Sequence, residues 1–412
     1  MERLKGCMKT LRLRRPALTH DTEHSMQMLY IRQCGSKMSC IQKASGLQVG
    51  QILRLLSKCR RLTRLGRQVT PFNISSPDGE TLFAWHMVSL GAYAAHEDEF
   101  TAEPAGIRSN LRETVGFKIL QRDPEARVII NFHGNAGHLA DGHRIQIYRS
   151  LTNLSPRIHI FSLDYRGFGY STGSPHEAGL IADAVTLVNY VLSLGIPPSR
   201  IVLLGQSLGT AVTSSVALHF ADRAAALKLL PPTVDSNLTS LFTSQPAVVG
   251  QDRSKPIDFA GIILVASFPA FPELLRTYRM AGLIPVLAPL QFYQGLQDLV
   301  VSFVQEKWPT SLRLAALVSA AASSSKRKLR LHLIHALDDP DIPWPNSEKN
   351  YETCYYALAT VAGESKIGLA SVDWGKDGFK REARLGQRVK IMFETLKFGG
   401  KLLPAVRIGM IS

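Results

Sequence analysis

Beyond residue 67 this 412-residue chain has a single cysteine, Cys354. The other four, Cys7, Cys34, Cys40 and Cys59, lie in the first 67 residues at spacings that match no zinc pattern with histidine partners. A disulfide framework and a metal centre are therefore not expected, and a reducing compartment or the cytosolic face of a membrane is favoured. Long apolar runs are missing too: no continuous run of uncharged apolar residues reaches the roughly 18 that a spanning helix needs. The nearest, "MAGLIPVLAPLQFYQGLQ" at 280–297, is broken by two prolines and suits a buried cap better. Acids are scarce only at the start, where residues 1–67 hold 15 Lys/Arg against 3 Asp/Glu, a net +12 of the chain's +15. The remaining +3 leaves no basic groove across the body, which argues against a nucleic-acid partner. Histidine is absent from the whole of residues 336–412.

What is present divides the chain. Residues 1–67 read as a basic extension, partly helical or disordered. Within it, Ile52, Leu55, Leu56, Cys59, Leu62 and Leu65 fall near one helical stripe among six arginines and lysines. That is the pattern of a basic interfacial helix, so residues 50–67 are expected to touch a membrane surface, or else to form a solvated helix docked on the domain. From Val69 the texture changes. "VTPFNI" and "TLFAWHMV" flank Pro77-Asp78-Gly79, which predicts a β-hairpin. Five continuous apolar runs follow, "ARVIINFHG", "RIHIFSLDYRG", "SRIVLLGQS", "FAGIILVAS" and "KLRLHLIHA", most of them separated by helix-length segments. They predict buried parallel strands with crossover helices, an α/β class with a doubly wound sheet. Residues 222–258 and 271–325 break the alternation and are expected to be insertions; the second, apolar and aromatic, would form a helical cap suited either to an acyl chain or simply to its own burial.

The chemistry-bearing motifs lie at the ends of these runs. Gly205-Gln206-Ser207-Leu208-Gly209 is G-x-S-x-G after an apolar strand and before a helical pattern, the context in which the serine becomes an exposed nucleophile. The neighbouring glycines make room for a strained turn, and the Leu208 N–H at the helix start is placed to stabilise an oxyanion. "NFHGNAGH" ends another strand; its second oxyanion donor is expected at Asn135, with Ala136 next, while His133 suits a structural role. In "LHLIHALDDPDIPW" three acids, Asp338, Asp339 and Asp341, compete for the position that orients a catalytic histidine.

Together "HGNAG", "LDYRGFGYSTGSP", "GQSLGT" and "DDPDIP" resemble the α/β-hydrolase superfamily, and within it the branch of membrane-associated monoacylglycerol and lysophosphatidylserine lipases. The resemblance runs from about Val69 to Gly400. It implies the α/β-hydrolase fold over residues 68–400 and selects Asp339 as the acid. It also assigns Asp164 and Arg166 to loop anchoring. The implied activity is ester hydrolysis through an acyl-enzyme, first on a lipid ester such as a monoacylglycerol or lysophospholipid, alternatively as a tailoring hydrolase on a non-lipid ester or thioester. No metal or organic cofactor is implied. The implied location is intracellular, peripheral to a membrane such as the endoplasmic reticulum.

One part is missing. In this fold the order along the chain is Ser, Asp, His, and the family's histidine usually follows two glycines near the C-terminus. Here Gly399-Gly400 is followed by Lys401 and a tail, residues 401–412, without family likeness. Three readings stay open. The chain is a pseudoenzyme that binds with an inherited pocket; or Lys401, His138, His143 or His176 reaches Ser207; or the sequence reads through an unspliced intron. Gly-Lys-Leu can be encoded GGT-AAG-TTG, which contains a donor-like GTAAGT.

Overall fold

The computed structural model describes residues 68–231, 242, 255–280, 284–285, 287 and 293–399. The basic stretch 50–67, the remainder of 1–67, Lys401 and the tail lie outside the described residues. The described chain forms a ten-stranded sheet. Its strands are β1 (Val69–Ser75), β2 (Thr81–Val88), β3 (Arg127–Phe132), β4 (Ile158–Leu163), β5 (Ile201–Gln206), β6 (Gly261–Val265), β7 (Leu329–Ala336), β8 (Gly368–Asp373), β9 (Phe379–Leu385) and β10 (Val389–Leu396). They lie in the order β1-β2-β4-β3-β5-β6-β7-β10-β9-β8.

The opening hairpin is as expected. β1 pairs antiparallel with β2 from Val69↔Met87 to Ser75↔Thr81, and Gly79 takes the positive φ of 91° that the turn requires. β4, β3, β5, β6, β7 and β10 are mutually parallel. Their apolar runs are continuous because both faces are covered. Val128, Ile130, Leu203, Leu264 and Leu331 enter one core cluster, whereas the intervening Ile129, Leu204, Ile263, Val265 and Ile334 enter the other, the period-2 alternation of a strand. Helices α2 (Glu177–Ser193), α3 (Leu208–Ala221), α6 (Thr310–Ala322) and α7 (Pro345–Ala362) fill the first face, and α1 (Gly142–Thr152) packs on the second.

Two features depart from the sequence reading. The five predicted strands are joined by a sixth parallel one, β10, and by the antiparallel pair β8 and β9. "FKREARL" and "GLASVD" carry no apolar run because that side of the sheet is partly open to solvent. The expected insertion 271–325 also includes α6, which packs against α3 and α7 and is a crossover helix of the core layer. The excursion is therefore the shorter segment from α4 (Phe271–Thr277) through α5 (Gln294–Ser302) to Trp308. Its two ends meet, with the Phe271 N–H donating to Lys307 O at 2.9 Å and the Ser311 N–H to Pro269 O at 2.9 Å.

A buried ion pair pins the base of this excursion. Glu177 at the start of α2 accepts from Arg313 on α6 at 2.7 Å and from the Trp308 N–H at 3.0 Å, and its own N–H donates to Glu306 at 2.9 Å. Both charged side chains are about 2% exposed. Arg313→Ala leaves the Glu177 carboxylate buried without its cation, so the variant should lose about 3–5 kcal/mol of unfolding free energy; urea denaturation checks this, and a loss below about 1 kcal/mol would contradict it.

Candidate active site

Three strands deliver the candidate residues to one end of the sheet. β5 runs out at Gln206, and Ser207 turns the chain into α3 with φ 52° and ψ −121°. A positive φ in a residue with a side chain costs about 1–3 kcal/mol and persists only where the surroundings enforce it. Enforcement is visible here. The Ser207 N–H donates to Val265 O of β6 at 2.9 Å, and Thr210 donates back to Ser207 O at 2.8 Å. A Cβ on Gly205 would stand 2.3 Å from Gly209 O, and one on Gly209 would stand 2.0 Å from Phe132 O. Both glycines of G-x-S-x-G are thus demanded by close backbone approach, as the motif implied. The dipole of α3 points its positive end at the serine.

The loop after β3 borders the same turn. A Cβ on Gly134 would lie 3.3 Å from Ser207 Cβ. Beyond it Ala136 adopts φ 59° and Gly137 φ 75°, and this strained path has a cause the motif did not reveal. The buried Arg144 guanidinium, on α1, donates to Gly134 O at 3.1 Å, to His138 O at 2.8 Å and to Ala136 O. Three carbonyls are thereby turned inward. Among the described residues, the N–H groups of Asn135, Ala136 and Leu208 donate to no acceptor. His133 is buried against Tyr165 with its Nδ1 2.8 Å from Gly134 O, and burial holds its pKa well below the ordinary histidine value. Asp164 accepts from the Leu139 N–H at 2.7 Å and the Tyr170 N–H at 3.3 Å, tying this loop to its neighbour. Arg166 bridges Asp183 on α2 and Asp78 in the hairpin turn, at 2.7 and 2.6 Å.

Of the three competing acids, Asp338 is exposed and Asp339 buried. Asp339 Oδ1 accepts from the Asp341 N–H at 2.9 Å and the Ile342 N–H at 3.0 Å. Its Oδ2 is buried and, among the described residues, has no hydrogen-bond partner. An orphaned carboxylate oxygen is costly unless a donor reaches it. His335 Nε2 stands 3.8 Å away, beyond hydrogen-bond range. That ring is occupied: its Nε2 donates to Ile342 O at 2.8 Å, and its Nδ1 lies 2.6 Å from Ser347 Oγ. Ser347 and His335 are thus partners in the core, both fully buried.

Of the other candidate bases, His143 is exposed on α1, and His138 and His176 are committed elsewhere. His138 Nδ1 accepts from the Ala140 N–H at 3.1 Å and its Nε2 faces Asp141 at 3.4 Å. His176 caps α2 by accepting from the Gly179 N–H at 3.1 Å. By contrast, β10 runs parallel to β7 with Leu396 opposite Ala336, and the Leu337 N–H donates to Leu396 O at 2.8 Å. The chain therefore leaves β10 beside the loop that carries Asp339. β5 and β7 are separated by β6 alone, about 10 Å apart, a gap that an imidazole with a hydrogen bond on each side fills.

Comparison with known proteins agrees with this architecture. Protein bem46 of Schizosaccharomyces pombe is 36% identical over 156 residues, 36% of this chain and 50% of that protein. The lysophosphatidylserine lipase ABHD12 of Danio rerio is 40% identical over 96 residues, 23% of this chain and 24% of the relative. Protein ABHD12B of Homo sapiens is 41% identical over 91 residues, 22% and 24% of the two chains. The chain thus spans half or less of the length of these relatives. Among solved structures, an alpha-beta hydrolase from Vibrio vulnificus is similar at 15% identity and a TM-score of 0.42, covering 76% of this chain and 77% of that one. The family model described as alpha/beta hydrolase fold matches residues 127–392, from the first residue of β3 into β10, and the chain belongs to that family.

Proposed function

We propose that this protein is a serine hydrolase of lipid esters, a monoacylglycerol or lysophospholipid, acting through an acyl-enzyme. The observation that carries the reading is Ser207, held at φ 52° between a buried strand and the N-terminus of α3. Ser207 Oγ attacks the ester carbonyl and transfers its proton to a base; the Asn135 and Leu208 amides stabilise the tetrahedral oxyanion; the alcohol leaves with that proton; and water then releases the fatty acid. Ala136 is the reserve oxyanion donor. Asp339 is the acid that orients the base, supported by the buried, unpartnered Oδ2. The names of the ABHD12 relatives favour a lysophospholipid over a soluble ester.

A second reading has its own observation: the last histidine of the chain is His335, and its ring is fully engaged. A chain without a base keeps the pocket and binds lipid with little turnover. A fluorophosphonate probe separates the two. Labelling of the full chain that vanishes in Ser207→Ala means an activated serine, and labelling of neither means a binding protein. Acyl-chain profiling against soluble esters then divides a lipase from a tailoring hydrolase.

A further inference from the structure

The cap excursion carries an apolar helix face that the rest of the described protein leaves open. Tyr293, Leu296, Leu299, Val300 and Phe303 are 66%, 44%, 52%, 38% and 58% exposed. At about 100° per residue, these five positions along α5 fall within an arc of roughly 120°. Val301, buried, points the opposite side inward. Single exposed apolar side chains are ordinary, but a contiguous stripe marks an interaction surface. The only charge on α5, Asp298, sits off this arc and is paired with Arg276 of α4 at 2.6 Å. No helix among the described residues is long and apolar enough to cross a membrane.

We infer that this face of α5 lies in the interfacial layer of an anionic lipid bilayer. Charge favours lipid over a second copy of the chain. Around the stripe, exposed Arg276, Arg279 and Lys307 stand against exposed Glu273 and Asp298, and the whole chain carries +15. Two such chains repel, whereas an anionic surface attracts both the cap and the N-terminal residues 1–67 with their net +12. A helix of nine residues binds lipid only marginally by itself, and a basic segment supplies the second signal that stable anchoring needs.

Position gives the contact its use. The excursion leaves β6, the strand between those that carry Ser207 and lead to Asp339, and the Arg279 N–H donates to Asp341 O at 3.1 Å beside the acid loop. A bilayer against α5 therefore lies next to the end of the sheet where the candidate site is. Delivery of a lipid ester rests on the proposed activity; the docking itself does not.

Flotation of the full chain with phosphatidylcholine vesicles, with and without phosphatidylserine, tests the docking without turnover. The expected result is binding to the anionic vesicles that falls tenfold or more in Leu299→Asp/Phe303→Asp, with an unchanged melting temperature because both side chains are already exposed. Ser207→Ala should float like the wild type, which separates docking from hydrolysis. Wild-type flotation that is absent, or unchanged in the double variant, overturns the inference. So does a stripe-dependent dimer in sedimentation with flotation unaltered, or loss of flotation in Ser207→Ala.

Discussion

Lys401→His is expected to raise the rate at which Ser207 is acylated by a fluorophosphonate by about 10³–10⁶-fold, the range lost when the imidazole of a serine hydrolase is removed. The argument is geometric. On the proposed reading, Ser207, the Asn135 and Leu208 amides and Asp339 supply every part of the site but the base. Asp339 Oδ1 accepts from two backbone N–H donors, and Oδ2, buried and without a hydrogen-bond partner among the described residues, is the oxygen that a ring Nδ1–H would meet on that reading. Lys401 follows Gly399, the last described residue, by two positions in the sequence, and the described end of β10 is held next to the acid loop by the Leu337–Leu396 hydrogen bond. A lysine there acts as a base only if burial lowers its pKa by several units, whereas an imidazole needs no such shift. The restored rate should rise with pH through a titration near 6.5–7. If Lys401→His folds and remains as inert as the parent chain, the placement is wrong; if the parent already labels rapidly, another group is the base. Sequencing the transcript across codon 400 addresses the read-through alternative directly, since that reading requires a histidine codon soon after a downstream acceptor.

Acidification from pH 7 towards 4 should destabilise this domain through its buried histidines. Five histidines, His86, His133, His159, His219 and His335, are buried as neutral rings. Burial lowers His159 to about 4 and His219 to about 3, and holds His86 and His133 well below the ordinary value. The charges facing them add to this: Arg200 acts on His159, with Asp123 opposing, Arg223 acts on His219, and Arg144 on His133. His86 Nε2 and His159 Nδ1 share one hydrogen bond at 3.0 Å, which a second proton would destroy. Because the folded pKa values lie below the unfolded value of about 6.5, the unfolded chain takes up protons that the native one refuses. The histidine contribution to stability is therefore fully present above pH 7 and is lost as pH falls towards 4, by about 3 kcal/mol for His159 alone. Burial of Asp164, pushed up to about 7, and of Asp183, pushed up to about 6, works in the opposite sense between pH 4 and 7. With Glu306 also raised by burial, three carboxyls stand against five imidazoles, and the balance of acidification is a loss of stability. Urea midpoints at pH 7.5, 5.5 and 4 should fall in that order, and His219→Met, which keeps an apolar contact with Phe220 and Phe242, should flatten part of the slope. A midpoint that holds steady down to pH 4 would refute the account.

The elbow was legible in the chain because everything it needs is local: a four-residue apolar run, two glycines two residues from a serine, and a helical pattern. The parallel strands were legible for a similar reason, since burial on both faces demands unbroken apolar runs. β8, β9 and β10 escaped notice because strands near an open edge keep charges such as Lys380, Arg381 and Arg384 on their half-open surface. The limit of the cap was misjudged for the opposite reason. α6 is as apolar as a lid, and only its packing on α3 and α7 shows that it belongs to the core.

Near-neighbour chemistry therefore settled the class of fold, the strained serine and the absence of a histidine after residue 335, because backbone sterics and strand periodicity act over a few residues. The surroundings of otherwise equivalent side chains waited for packing, although the resemblance had already singled out Asp339. Asp338, Asp339 and Asp341 differ little as letters, yet one of them is buried with an unanswered oxygen. Arg144 is an unremarked arginine until three loop carbonyls turn towards it, and the stripe from Tyr293 to Phe303 reads as core until the fold leaves it in solvent. Burial and hydrogen-bond partners are properties of groups brought together from distant parts of the chain, and they exist only once the sheet has assembled.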